Sequence, residues 1–142
     1  MKTELFYWIT AMVYLGICTV SDIRRRKVSW LFSLLFGTGL FCIHMIRQDT
    51  AVTEFLFGIL PGIFLLGISA VTGEAIGYGD GLAVAVCGLA LGAEPAIRIL
   101  MTALFLSAGW SLLLLVLRKA GKKESFPFVP FLLTAQIVTL MV

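Results

Sequence analysis

The chain has 142 residues, 60% of them hydrophobic and only 13% charged, with a mean hydropathy of +1.03. A soluble domain of this size cannot hide so much apolar surface, so a bilayer is the expected solvent, and the length leaves room for one domain (1–142) with no separate soluble module. The net charge of +3 says little as a total; its placement along the chain says far more.

A bilayer-spanning helix needs roughly 20 predominantly apolar residues. Six segments approach that pattern in chain order: Leu5–Ser21, Ser29–Ile46, Ala51–Thr72, Gly81–Ala93, Ala96–Leu117 and Pro127–Val142. Backbone groups in lipid must be satisfied within each segment, and these runs lack strict alternation, so the predicted class is all-α, a polytopic membrane protein with six transmembrane helices. The first run follows Lys2 but meets no small-x-small cleavage site, and "LGIC" (Leu15–Cys18) has Ile17 where a lipoprotein signal needs a small residue, so it is expected to be a retained span. Trp8 and Trp30 suit interfacial belts on opposite sides, and Trp110 suits packing between helices. His44 is expected at the interface, and Glu54 and Glu94 as solvated acids. The pairs Gly58–Gly62 and Gly88–Gly92 have the spacing of close helix contact. Pro127 and Pro130 suit the start of the last span, where missing amides cost little. Cys18, Cys42 and Cys87 are far apart in apolar runs, with no CxxC pairing and no histidine at ligand spacing, which predicts buried, inert thiols, no metal site and no cofactor.

Lys and Arg set the expected orientation. The first connection carries Arg24, Arg25, Arg26 and Lys27, and the fifth carries Arg118, Lys119, Lys122 and Lys123. With the third, these loops share one side and hold eight basic residues, against Lys2, Arg47 and Arg98 on the other. The positive-inside rule then predicts odd-numbered loops in the cytoplasm and both termini outside.

The third connection reads "GEAIGYGD" (Gly73–Asp80). Gly-Tyr-Gly-Asp occurs in potassium-channel filters, but such a filter ends toward the outside and needs a half-membrane pore helix before it. Here a full-length span precedes, the stretch faces the cytoplasm, and Ile76 replaces the usual Thr-Val lead-in. The same letters have the form Gly-x-Gly-Asp. Asp80 begins span four at its cytoplasmic end, and Asp22 closes span one at the same end. Span four is short: ~13 residues at ~1.5 Å each cover about 20 Å, less than the ~30 Å hydrocarbon core. Asp80 is therefore expected below the surface, reached by a glycine-rich loop containing Gly73, Gly77 and Gly79. Either acid alone reads as structural, Asp80 as a helix cap and Asp22 as an interfacial residue countered by the arginines. Together at one depth they read as a functional pair. Two close carboxyls share a proton: one can deprotonate an attacking water while the other protonates a peptide carbonyl. A proton- or ion-coupled transporter could use the same two acids as carriers, but the repeated broken helices common in transporters are not visible. A noncatalytic scaffold would not need them.

Three stretches in order resemble one family, the type IV prepilin (leader) peptidases, which are GxGD membrane aspartic proteases. "SDIRRRKVSW" resembles the first catalytic segment, "AIGYGDGLAVAVCGLALG" the second, and "FPFVPFLLTA" the Pro-Phe-x-Pro start of the last span. Val28-Ser29 stands where Ile-Pro is usual, and Gly81-Leu82 where an aliphatic residue and Lys often follow the acid. The resemblance is to short members lacking the methylating domain. It implies Asp22 and Asp80 as catalytic acids, no cofactor, and cleavage of prepilin or pseudopilin leader peptides at the cytoplasmic face of the inner membrane. Substrate contacts are expected from Gly77, Gly79, Glu74, Pro127 and Pro130, with Glu74 and Glu124 able to attract a basic leader. The lipid bilayer is the other expected partner, and nucleic acid is not expected.

Overall fold

The apolar runs fold as six α-helices in the computed structural model, which describes residues 2–25, 28–48, 51–73, 77–117 and 127–142. They are α1 (Lys2–Arg25), α2 (Trp30–Arg47), α3 (Val52–Val71), α4 (Tyr78–Leu91), α5 (Ala93–Val116) and α6 (Val129–Met141). Helices α1, α2, α3 and α5 are each long and apolar enough to cross a membrane. Their outward surfaces are those of an integral membrane protein: Phe64 is 67% exposed and Phe105 79% exposed. Helices α4 and α6 are shorter, at 14 and 13 residues, and each rises only about 20 Å. The second short helix, α6, is a difference from the sequence expectation of one short span.

Helix α4 is the hub. Eight of its 14 residues are buried, and it packs against each of the other five helices. A helix that is hydrophobic all round belongs in an interior, and α4 owes its close fit to small residues. The carbonyls of Gly58 on α3 and Gly88 on α4 lie where a Cβ on the opposite glycine would overlap them. One turn along, a Cβ on Gly62 would overlap Ala85. The Gly58–Gly62 spacing thus marks a real backbone-to-backbone contact, as does Gly88. Gly92 has a different task. Its φ of +88° and ψ of 177° lie in a region essentially reserved for glycine, and this single residue turns the chain from α4 into α5.

Two aromatic clusters join α1 to its neighbours. Tyr14 stacks on Phe32 and Phe36 of α2, with centroids 5.9 and 4.8 Å away, and its hydroxyl shares a 2.7 Å hydrogen bond with Ser33. At the other end of α1, Tyr7 stacks on His44, which also meets Phe55 of α3. His44 is therefore buried in an aromatic stack and is not the interfacial residue the sequence suggests, because its helix turns it inward. Two further expectations are corrected by helix rotation. Cys42 is exposed on the outer face of α2, whereas Cys18 and Cys87 are buried. Trp110 is half exposed, lining a groove between α5 and α6. Trp8 is partly buried against the core, and its carbonyl accepts a 3.2 Å hydrogen bond from the Gln136 side chain. Glu94 is exposed as expected, and it also pairs with Arg98 one turn along.

The α3–α4 contact generates a test. Gly88→Ala should destabilise the protein by about 1–3 kcal/mol, since the added methyl forces two backbones apart. Gly67→Ala on α3, where a Cβ meets open space, should show no loss. Thermal unfolding of both variants in the same detergent measures the difference.

Candidate active site

The C-terminal end of α1 and the N-terminal end of α4 meet at one end of the bundle. Asp22 lies in the last turns of α1 and is 7% exposed. Asp80 lies in the first turn of α4 and is half-buried. The charge of Asp22 acts on Asp80 through space, so the two acids that are far apart in sequence share one site.

Each carboxyl is oriented by a backbone amide. Val129, the first residue of α6, donates its N–H to Asp22 Oδ2 at 3.4 Å. That amide is one of the donors a helix N-terminus leaves without an internal partner, and a carboxylate is its favoured acceptor. Asp80 is bound by its own helix. Gly77, in extended conformation, is the N-cap of α4; its carbonyl accepts the Asp80 N–H at 3.0 Å, and its own amide donates to the Asp80 carboxyl. This is the reach-back half of a capping box, with an acid at the third helical position. Helix α4 therefore starts three residues before the expected Gly81, and Asp80 lies inside its first turn, not at the cap.

The glycines of the third connection have distinct roles. A Cβ on Gly77 would lie 3.2 Å from Asp80 Oδ2, so a side chain there would crowd the carboxyl. A Cβ on Gly79 would lie 2.7 Å from Cβ of Val28, so glycine lets the segment after α1 close onto α4. Pro127 and Pro130 flank Val129, the Asp22 donor. Pro127 also lines a cavity of about 250 Å³ with Trp110 and Phe128, and Pro130 occupies the first turn of α6. Glu74 and Glu124, and the basic residues Arg26, Lys27, Arg118, Lys119, Lys122 and Lys123, lie outside the described residues. Of the expected site residues, Asp22, Asp80, Gly77 and Gly79 come together, with the two prolines beside Val129.

Sequence reasoning missed three contributors. The Val129 amide is 107 residues from the acid it holds, and only the paired prolines around it hint at a fixed helix start. Val28 was noted as a departure and proves to be the residue packed on Gly79. Tyr14 and Cys18 form a buried ladder with Asp22 on one face of α1, the Tyr14 hydroxyl contacting both Ser33 and the Cys18 thiol. Their spacing of four residues each was the available signal.

The cap on α6 is testable apart from any activity. Asp22→Ala leaves the Val129 amide buried without its acceptor and should cost about 1–2 kcal/mol. It should also speed hydrogen exchange at Val129. Asp22→Asn retains an acceptor oxygen and should keep most of the protection. Site-resolved exchange by mass spectrometry checks both.

The model of the Type IV leader peptidase family matches residues 9–116, taking in nearly all of α1 through α5 and ending before α6. Comparison with curated proteins and with solved structures gives no match. Since the family match covers most of the chain and both helices that carry the paired acids, the protein is a peptidase of the prepilin-processing type, a member of the Type IV leader peptidase family.

Proposed function

We propose that the protein is a membrane-embedded aspartic endopeptidase that removes the basic leader of prepilin-like proteins at the cytoplasmic face of the inner membrane. Asp22 and Asp80 act as its catalytic pair. The observation that carries this reading is the meeting of the two acids at one end of the bundle, each with a backbone amide on its carboxyl.

Carboxyls that share a site do not both ionise cheaply, so in this reading the pair holds one proton between them and acts as a single titrating unit. The ionised member takes a proton from a water as the water oxygen adds to the scissile carbonyl carbon. The protonated member donates to the carbonyl oxygen, giving a tetrahedral intermediate. Collapse breaks the C–N bond: a diol hydroxyl returns its proton to the second carboxylate as the C=O re-forms, and the proton taken from water goes to the leaving nitrogen, which restores the starting state of the pair. No covalent enzyme intermediate forms. The Val129 and Gly77 amides fix the orientation of the carboxyls beforehand, and such positioning is where much of the rate comes from. Gly79 keeps the Asp22 and Asp80 segments in contact.

The basic asymmetry supports the cytoplasmic face, because Arg24 and Arg25 stand in the last turn of α1 beside Asp22. In this orientation α4 and α6 complete a six-span topology with both termini outside. Gly77, Gly79, Pro127 and Pro130 border the substrate, and Glu74 lies in the connection that leads into α4.

Asp22→Asn and Asp80→Asn should each lower prepilin cleavage by roughly three orders of magnitude or more while leaving membrane insertion intact. The double variant should be scarcely worse than either, since residues acting as a unit are strongly non-additive. Leader removal followed by mass shift, normalised to protein in the membrane, measures all three. Efficient cleavage by a well-inserted Asp80→Asn protein would reduce that acid to its capping role. For orientation, Lys122→Cys in a cysteine-free variant should resist an impermeant thiol reagent applied to intact cells and react once the membrane is opened.

A further inference from the structure

The ring of helices around α4 has a gap on one side. Helices α2 and α3 both pack on α4 and, among the described residues, scarcely on each other. At the end of the bundle away from the acids two ring contacts pin them together, Phe41 to Phe55 at 5.6 Å and His44 to Phe55 at 4.5 Å. Between that pin and the acid-bearing end lies a cleft of about 270 Å³. Leu82, Ala85 and Leu89 of α4 form its floor, with Leu34 and Thr38 of α2 and Ile59 of α3 as walls.

The floor leads to the acids. Tyr78, Leu82, Ala85 and Leu89 follow one another at spacings of four, three and four residues, which puts them on one face of α4. This stripe is about 17 Å long. Tyr78 is the first residue of α4 and is 45% exposed. The Asp80 carboxyl is turned back to the Gly77 amide at the tip of the same helix. Tyr78 and that carboxyl therefore stand at one tip, and Gly77 puts no side chain over it.

The cleft has the character of a helix-docking surface. Among the described residues no charged side chain lines it, so its occupant is apolar. On the α2 side Gly37 faces the floor, where a Cβ would lie 3.5 Å from Leu89 Cδ1. Small residues of this kind let a further helix approach closely in lipid. The volume holds a few side chains and not a whole helix, so a docked helix lies across the mouth and inserts one row of side chains between α2 and α3.

We propose that this cleft docks the apolar helix adjoining the scissile bond of a membrane-inserted substrate, the chain passing from the acids over Gly77 and Tyr78 onto the α4 stripe. The docking site rests on the endopeptidase reading given above and adds to it the place where the substrate's membrane segment is held. Of the apolar occupants that a bilayer offers, a segment covalently joined to the peptide at the acids is the one that uses the continuity from Tyr78 to Leu89. A lipid chain or a second copy of this protein would leave that continuity idle.

Two measurements on the full chain test the site, with the prepilin of the cleavage assay and a peptide from it truncated before its apolar helix. Thr38→Trp fills the cleft from an exposed wall position. It should lower cleavage of the whole prepilin about tenfold or more, mainly through KM, and leave cleavage of the truncated peptide as in the parent. Gly39→Trp, one residue on and facing open space, should behave as the parent on both. The second measurement needs no turnover. In a cysteine-free Asp80→Asn background, Leu34→Cys should form a disulfide with a cysteine in the first turns of the prepilin's apolar helix, and Phe105→Cys, on the exposed surface of α5, should not. If Thr38→Trp is not recovered folded, or the parent leaves the truncated peptide uncut, the cross-link alone decides. Undiminished cleavage of the whole prepilin by Thr38→Trp, or equal loss on both substrates, would overturn the docking site and leave the peptidase reading standing. Equal cross-linking from positions 34 and 105 would overturn it too, as would a Leu34→Cys adduct between two copies of the chain in place of one with the prepilin. Failure of the parent to cut either substrate would count against the peptidase reading itself, and the docking site would fall with it.

Discussion

The contact of Gly58 with Gly88, backbone against backbone between α3 and α4, is the constraint on which the rest of the fold depends. In lipid, helices gain little from hiding apolar side chains from one another, so association rests on close van der Waals approach. Glycine at both positions, with Gly62 against Ala85 one turn further, lets α4 sit closer to α3 than any side chain would allow. That seating puts a 14-residue helix in the middle of the bundle, in contact with all five others. A helix of that length rises only about 20 Å, less than the ~30 Å hydrocarbon core. Its first turn, with Asp80, therefore meets the end of α1 as part of the protein interior.

What the sequence revealed and what it hid follow from the same physics. Long apolar runs fix the existence, type and approximate bounds of membrane helices, and all six segments were found with ends shifted by only a few residues. The alternation of successive helices was enough to place Asp22 and Asp80 at the same end of the bundle. Rotation about each helix axis was not legible. In a segment that is apolar all round, hydropathy marks the span but not the face turned inward, so Cys42 and Trp110 were expected inside and His44 at an interface. Nor could the sequence reveal a donor that is a backbone amide, since Val129 carries no chemical mark of its bond to Asp22. The start of α4 was misjudged by three residues for a related reason. Glycines suggested loop, while the reciprocal bonds between Gly77 and Asp80 fix a helical turn.

Family membership narrows the chemistry to peptide cleavage of the leader-peptidase type. The match ends before α6, yet α6 supplies the amide that holds Asp22. The two prolines beside Val129 restrict the backbone on either side of it. The last helix thus contributes to the site through its backbone and the rigidity of its start, and neither of these needs a reactive side chain.

Capping and the proposed catalysis look like competing accounts of these acids, but one arrangement can serve both. Each carboxyl sits at a helix N-terminus, Asp22 against α6 and Asp80 within α4, so the positive ends of two helix dipoles converge on the pair. A carboxylate taken out of water needs such partners simply to be tolerated. The same partners hold its free lone pairs in a fixed direction, and an acid-base pair working on a single water requires fixed directions. A cap with solvent on its far side would end there. These two caps instead stand at one end of the bundle, with the charge of Asp22 bearing on Asp80, and the proposed catalytic unit rests on that shared placement.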